Sequence, residues 1–78
     1  MKKLIQVLGA GCAKCENLRR NAETAVRELG IDAVVEKITD VDAMLELGVL
    51  VTPALAVDGE VKAAGRLLTP EEIKAILA

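Results

Sequence analysis

The stretch that decides the fold is Lys3-Leu4-Ile5-Gln6-Val7-Leu8-Gly9-Ala10-Gly11-Cys12-Ala13-Lys14-Cys15. Residues 3–8 form a short apolar run stopped by Gly9, the pattern of a strand covered on both faces. From Cys12 the period changes. Cys15, Leu18, Ala22, Ala25, Val26 and Leu29 recur at helical spacing, with Arg19, Arg20, Glu23, Arg27 and Glu28 on the opposite side. This predicts a long amphipathic helix over 12–29, ended by Gly30 with Ile31 closing a hydrophobic contact beyond it. Two cysteines therefore sit at the junction of a strand and the helix that follows.

Working outward, residues 31–38 are rich in β-branched side chains and read as a second strand. Thr39 or Asp40 can cap a short helix carrying Val41, Met44 and Leu45 on one side, ended by Gly48. Residues 54–57 and 60–64 flank Asp58-Gly59, a two-residue type I′ hairpin signal. Thr69-Pro70-Glu71-Glu72 marks a helix start: Thr at the N-cap, Pro at the first helical position and Glu reaching back in a capping box. Ile73, Ile76 and Leu77 give that helix its apolar face. The order β-α-β-α-β-β-α predicts an α/β domain with a central four-stranded mixed sheet flanked by three helices. Its first β-α-β unit joins parallel strands by a right-handed crossover.

The chain has 78 residues, so a single domain spanning 1–78 is expected. A chain of this size buries only about 60–65% of the surface its unfolded form exposes. The 53% apolar fraction is drawn from aliphatic residues, with no Phe, Tyr or Trp. Without aromatics there is no base-stacking platform for single-stranded nucleic acid. Ten basic and twelve acidic residues are interspersed, giving a net charge of −2 and no basic stripe to neutralise phosphates. No apolar run approaches the roughly 20 residues that span a bilayer. Leu4 to Leu8 is too short for the apolar core of an export signal. Expected, then, are a cytoplasmic location, a monomer, and no nucleic-acid or membrane partner.

In a reducing compartment a close cysteine pair is catalytic or metal-binding more often than a structural staple. Two intervening residues let both sulfurs meet on the first helical turn. The helix N-terminus offers unpaired N–H groups and the positive end of the macrodipole, which favour a thiolate at Cys12. Thiol pKa values of about 3.5–7.5 are typical of such settings. That makes Cys12 the nucleophile. Cys15, one turn deeper and facing the core, is the resolving thiol. Lys14 adds a screened positive charge, Glu16 opposes it at Cys15, and Gly11 leaves the Cys12 sulfur open to a partner. Ala13-Lys14 completes the loop. The plainer alternative, two buried small side chains at incidental spacing, is disfavoured by the strand-turn-helix context.

Thr52-Pro53 is the second element. Pro at the start of a strand is tolerated on structural grounds alone. The functional alternative is a cis peptide that faces the disulfide, blocks metal capture and presents the Thr52 backbone to a bound peptide.

With Gly11-Cys12-Ala13-Lys14-Cys15 after the first strand and Thr52-Pro53 before the hairpin, the chain resembles the thioredoxin superfamily. It is most similar to its minimal group of small prokaryotic redox-active disulfide proteins. Val57-Asp58-Gly59-Glu60, Ala64-Gly65-Arg66 and Glu71-Glu72-Ile73 add to the likeness. The resemblance implies a minimal thioredoxin/glutaredoxin-like fold and thiol–disulfide oxidoreductase activity. It also implies nucleophilic and resolving roles for Cys12 and Cys15, and the cis-proline position for Pro53. Protein disulfides would be the substrates and an upstream reductase the electron source, with no cofactor beyond the Cys12–Cys15 disulfide. Three positions depart from the pattern. Ala13-Lys14 replaces Gly-Pro, Gln6 stands where thioredoxins carry a buried acidic proton acceptor, and Gly65-Arg66 falls where glutaredoxins have Gly-Gly. The alternative from another class is a soft-metal carrier, two thiolates holding Cu(I) or a similar ion. Small copper carriers, however, follow a β-α-β-β-α-β order.

Overall fold

The chain is described by a computed structural model over residues 3–9 and 13–77. Its elements follow the order expected: β1 (Lys3–Leu8), α1 (Ala13–Leu29), β2 (Ala33–Ile38), α2 (Val41–Glu46), β3 (Ala54–Val57), β4 (Glu60–Ala64) and α3 (Pro70–Leu77). They build the four-stranded mixed sheet of a thioredoxin-like fold, in the order β2-β1-β3-β4. β1 and β2 are parallel from Lys3↔Ala33 to Leu8↔Ile38, whereas β3 runs antiparallel to both β1 and β4. β2 begins two residues later than the apolar pattern indicates, because the Asp32 carbonyl accepts the Lys3 N–H at 3.0 Å and sets the first rung.

The period of two divides the sheet's side chains between two cores. Ile5 and Val7 of β1, with Leu55 and Val57 of β3, meet Leu18, Ala22 and Ala25 of α1 and Ile73 and Leu77 of α3. Leu8, Ala54 and Ala56 point to the other face, where Met44 of α2 and Val49 cover them. The second cover is partial. A six-residue α2 shields only the end of the sheet near Leu8 and Ala54, so Gln6 is left half-buried and β1 is fully enclosed on one face alone. The expected apolar face of α2 is also narrower than its composition indicates. Met44 is 6% exposed, but Val41 and Leu45 are 62% and 54% exposed, since so short a helix turns one side chain only onto the sheet.

Local chemistry fixes the corners. Asp58 and Gly59 both adopt positive φ, 52° and 85°, as a type I′ turn requires. Asp58 also ties the hairpin back to β1: its N–H donates to the Leu4 carbonyl at 2.8 Å and its Oδ1 accepts the Leu4 N–H at 2.9 Å. A bulge in β4 between the Leu55 and Ala56 rungs leaves Lys62 without an opposite residue. Asp40 caps α2 by accepting the Asp42 N–H at 2.9 Å.

At α3 the capping box closes reciprocally. The Thr69 hydroxyl accepts the Glu72 N–H at 3.2 Å, and Glu72 Oε1 accepts the Thr69 N–H at 3.0 Å. α3 is then held to α1 through Lys74 Nζ and Glu28 Oε1 at 2.6 Å, and the segment leading into α3 through Asn21 Nδ2 donating to the Leu68 carbonyl at 2.8 Å. Thr69→Ala is expected to lower stability by about 1 kcal/mol, read as a lower urea midpoint at unchanged slope. The Thr69 N–H foremost, and then its hydroxyl and Arg66, hold the Glu72 carboxyl below its ordinary value of 4.5 against opposing desolvation. A carboxyl lowered in the folded state contributes stability that is present above its unfolded value. That contribution is lost as pH falls through the folded value. Stability should thus fall as acid is taken below 4.5, and Glu72→Gln should flatten that part of the curve in urea melts at stepped pH.

Candidate active site

The turn between β1 and α1 brings the chemistry to one end of the sheet. Cys12, Gly11 and Ala10 lie outside the described residues. Ala13 and Lys14 are exposed on the first turn of α1, while Cys15 is fully buried on the face that meets the sheet. Helical periodicity places it there: Cys15, Leu18, Ala22 and Ala25 make one buried stripe. The Cys15 sulfur rests on Gly9, the residue that follows β1. A Cβ at position 9 would lie 2.0 Å from Cys15 Sγ and 3.2 Å from its Cβ. No side chain fits at that separation, so the sulfur occupies the space an alanine methyl would need. The Gly9 N–H donates to the Ile38 carbonyl at 3.0 Å, which carries the parallel β1–β2 ladder one rung beyond the strands.

The same point beside Gly9 is 3.6 Å from the Thr52 Cβ, so the loop before β3 also reaches this end of the sheet. The Thr52-Pro53 peptide is cis. Thr52 is exposed and Pro53 buried. The Pro53 carbonyl accepts the Gly65 N–H at 2.8 Å, and Val51 packs so closely on Gly65 that a Cβ there would be 2.8 Å from Val51 Cγ1. Of the residues expected to act together, Cys15, Thr52 and Pro53 meet at this end of the sheet, with Lys14 and Ala13 at its rim.

Charge around the site centres on Glu16. Its carboxylate pairs with Arg19 and lies 3.8 Å from both Arg20 and Lys37. The hydrogen bond from Arg19 is the main cause that lowers the Glu16 pKa from its ordinary value; desolvation opposes it, and the charges of Arg19, Lys37 and Arg20 add to it. The negative charge next to Cys15 is therefore compensated by three cations.

A family model for the thioredoxin domain matches residues 3–78. The chain belongs to the thioredoxin domain family. A thioredoxin of Methanothermobacter thermautotrophicus is 55% identical over 74 residues, covering 95% of this chain and 96% of that protein. A thioredoxin of Methanocaldococcus jannaschii is 44% identical over 71 residues, covering 91% of this chain and 81% of that one. The resemblance read from the cysteine turn, Thr52-Pro53 and the hairpin is thereby established at the level of the family.

Against the thioredoxin pattern, Gln6 does not recreate a buried acid. It is half-buried on the face opposite Ile5 and Val7, and its Nε2 donates to Glu36 Oε1 on the neighbouring strand at 3.5 Å. Arg66 is an exposed side chain that pairs with Glu72 at 2.6 Å. Two features were not legible in advance. The contact of Gly9 with one particular sulfur depends on how α1 docks on β1, and Lys37 reaches Glu16 only through the β2–β1–α1 packing. Among the described residues no helix is long and apolar enough to cross a membrane.

Proposed function

We propose that this protein is a thiol–disulfide oxidoreductase that reduces protein disulfides with a Cys12/Cys15 dithiol. The observation that carries the reading is the Cys15 sulfur, buried at the head of α1 against Gly9 and beside the Thr52-Pro53 loop, in a chain of the thioredoxin domain family. Cys12 directly precedes α1, where unpaired N–H groups and the helix dipole favour a thiolate. Cys12 attacks one sulfur of the partner disulfide, and the other sulfur leaves as a thiolate that takes a proton. Cys15 then attacks Cys12, the partner's second sulfur departs, and the Cys12–Cys15 disulfide forms. Two electrons pass to the partner, and an upstream reductase restores the dithiol. Gly11, Ala13 and Lys14 flank the attacking thiol in the chain, and Thr52-Pro53 lies at the same end of the sheet, near Gly9.

Leu50 and Val51, 84% and 57% exposed, lead directly into Thr52-Pro53. Apolar side chains this exposed beside a reactive thiol supply a contact for a protein partner. A reducing, cytoplasmic setting fits this chemistry, and a monomer leaves the site open. The reading is favoured over a soft-metal carrier because the element order is not β-α-β-β-α-β and because the Thr52-Pro53 loop stands over the thiol pair's end of the sheet.

The test is a trap. Cys15→Ser incubated with insulin as the disulfide is expected to accumulate a covalent adduct through Cys12, visible by mass and dissolved by dithiothreitol. Absence of any Cys12 adduct would sink the proposal.

A further inference from the structure

We infer that Gly9 is a positioning residue for the resolving step, its missing side chain forming the seat of the Cys15 sulfur. The inference rests on the redox reading above and concerns a residue outside the cysteine pair. Its basis is steric. A Cβ at Gly9 falls 2.0 Å from Cys15 Sγ, far inside any non-bonded contact, and 3.2 Å from Cys15 Cβ. The backbone of Gly9 has little room to retreat, because its N–H is committed to the Ile38 carbonyl at 3.0 Å. Cys15 has little room either. It is 0% exposed, and its helix is pinned behind it by Leu18, Ala22 and Ala25, all 0% exposed. Any side chain at position 9 must therefore turn the sulfur out of its present rotamer, and Thr52 crowds the same point, its Cβ 3.6 Å away.

The chemical consequence falls on one half of the reaction. Attack by Cys12 on a partner needs no movement of Cys15. Resolution needs the Cys15 sulfur to approach Cys12 along the axis of the mixed disulfide, forming the Cys12–Cys15 bond as the partner's sulfur leaves with the electron pair. Displacement of a reacting atom by about 1 Å can cost on the order of 100-fold in rate. Gly9 thus sets the rate of release and leaves the rate of capture alone.

The experiment combines kinetics with a stability cycle. Reduced parent and Gly9→Ala are each mixed with a substoichiometric amount of dithiobis(nitrobenzoate), whose first coloured thiolate reports attack and whose second reports resolution. The expected result for Gly9→Ala is a parental first phase and a second phase slowed on the order of 10- to 100-fold. Urea unfolding of parent, Gly9→Ala, Cys15→Ala and the double variant then isolates the contact, since any purely backbone cost at position 9 is common to both backgrounds. Gly9→Ala should be about tenfold or more worse in folding constant when Cys15 is present than when it is alanine. Should Gly9→Ala not fold, the double variant should recover the fold. Equal costs in both backgrounds, or failure of both to fold, would overturn the inference. So would a coupled pair with an unchanged second phase. A parent that releases no coloured thiolate contradicts the redox reading itself, and any role of Gly9 in resolution with it.

Discussion

Cys12→Ser should abolish disulfide reduction, lowering the rate on the order of a thousandfold or more, while Cys15→Ser retains a single round of attack. The asymmetry follows from the two positions. Cys12 directly precedes α1, so its sulfur is the one that the helix N-terminus can stabilise as an anion. Cys15 lies one turn deeper, buried behind Gly9 and the Thr52 loop, where a bulky partner disulfide has no route to it. Cys12→Ser removes the proposed nucleophile while Cys15 stays fully buried, and losses of this order are typical when a nucleophile is deleted. Removing the second leaves capture intact and stops turnover at the mixed disulfide. Turnover of a protein disulfide, followed as released thiol, distinguishes the two variants. Equal residual activity in both would contradict the assignment of roles.

The largest stability effect is expected at Leu18→Ala. Leu18 is 0% exposed and joins the helix that carries Cys15 to the main core of Ile5, Val7, Leu55 and Ile73. Deleting a buried leucine to alanine costs about 2–5 kcal/mol, part transfer and part cavity. For a domain of this size each kcal/mol lowers Tm by about 4–8 °C, so a fall of roughly 8–40 °C is expected by calorimetry or circular dichroism. There is no aromatic side chain in the chain to fill the gap by shifting inward. The same variant should slow resolution as well as melt early, because the cavity opens one turn behind Cys15. A change in Tm below a few degrees would mean that the α1–sheet packing described above does not hold.

Where local chemistry decides the structure, the amino-acid sequence could be read directly. Asp58-Gly59 forms its hairpin because two successive positive φ values suit that pair, and Thr69-Pro70-Glu71-Glu72 starts α3 because all its bonds close within four residues. The buried stripe of α1 was likewise legible, since seventeen residues give helical periodicity room to repeat. α2 was not. With six residues its apolar composition cannot say which side meets the sheet, and Met44 alone is buried. The Lys62 bulge and the late start of β2 answer to pairing with other strands, which no single segment encodes.

The site divides in the same way. The Cys12–Cys15 spacing and its place before a helix could be read from the chain, as could the candidacy of Pro53. The compensation of Glu16 by Lys37 and the closeness of Thr52 to Gly9 are products of tertiary packing between segments about 20–40 residues apart, and the seating of Cys15 on Gly9 depends on how α1 docks on β1. They were beyond the reach of pattern. Their effect bears on Cys15, which is fully buried and has the negative charge beside it compensated by cations.

The central claim is that Cys12 and Cys15 form a reversible two-electron couple. Its most direct test is to equilibrate the protein across a series of reduced and oxidised glutathione ratios, quench with acid, alkylate and weigh it. A single transition between a doubly alkylated dithiol and an unalkylated disulfide, fitted by a two-electron curve and lost in Cys12→Ser and Cys15→Ser, is the result expected. Two cysteines that take up alkylating reagent independently, with no disulfide at any ratio, would contradict the account.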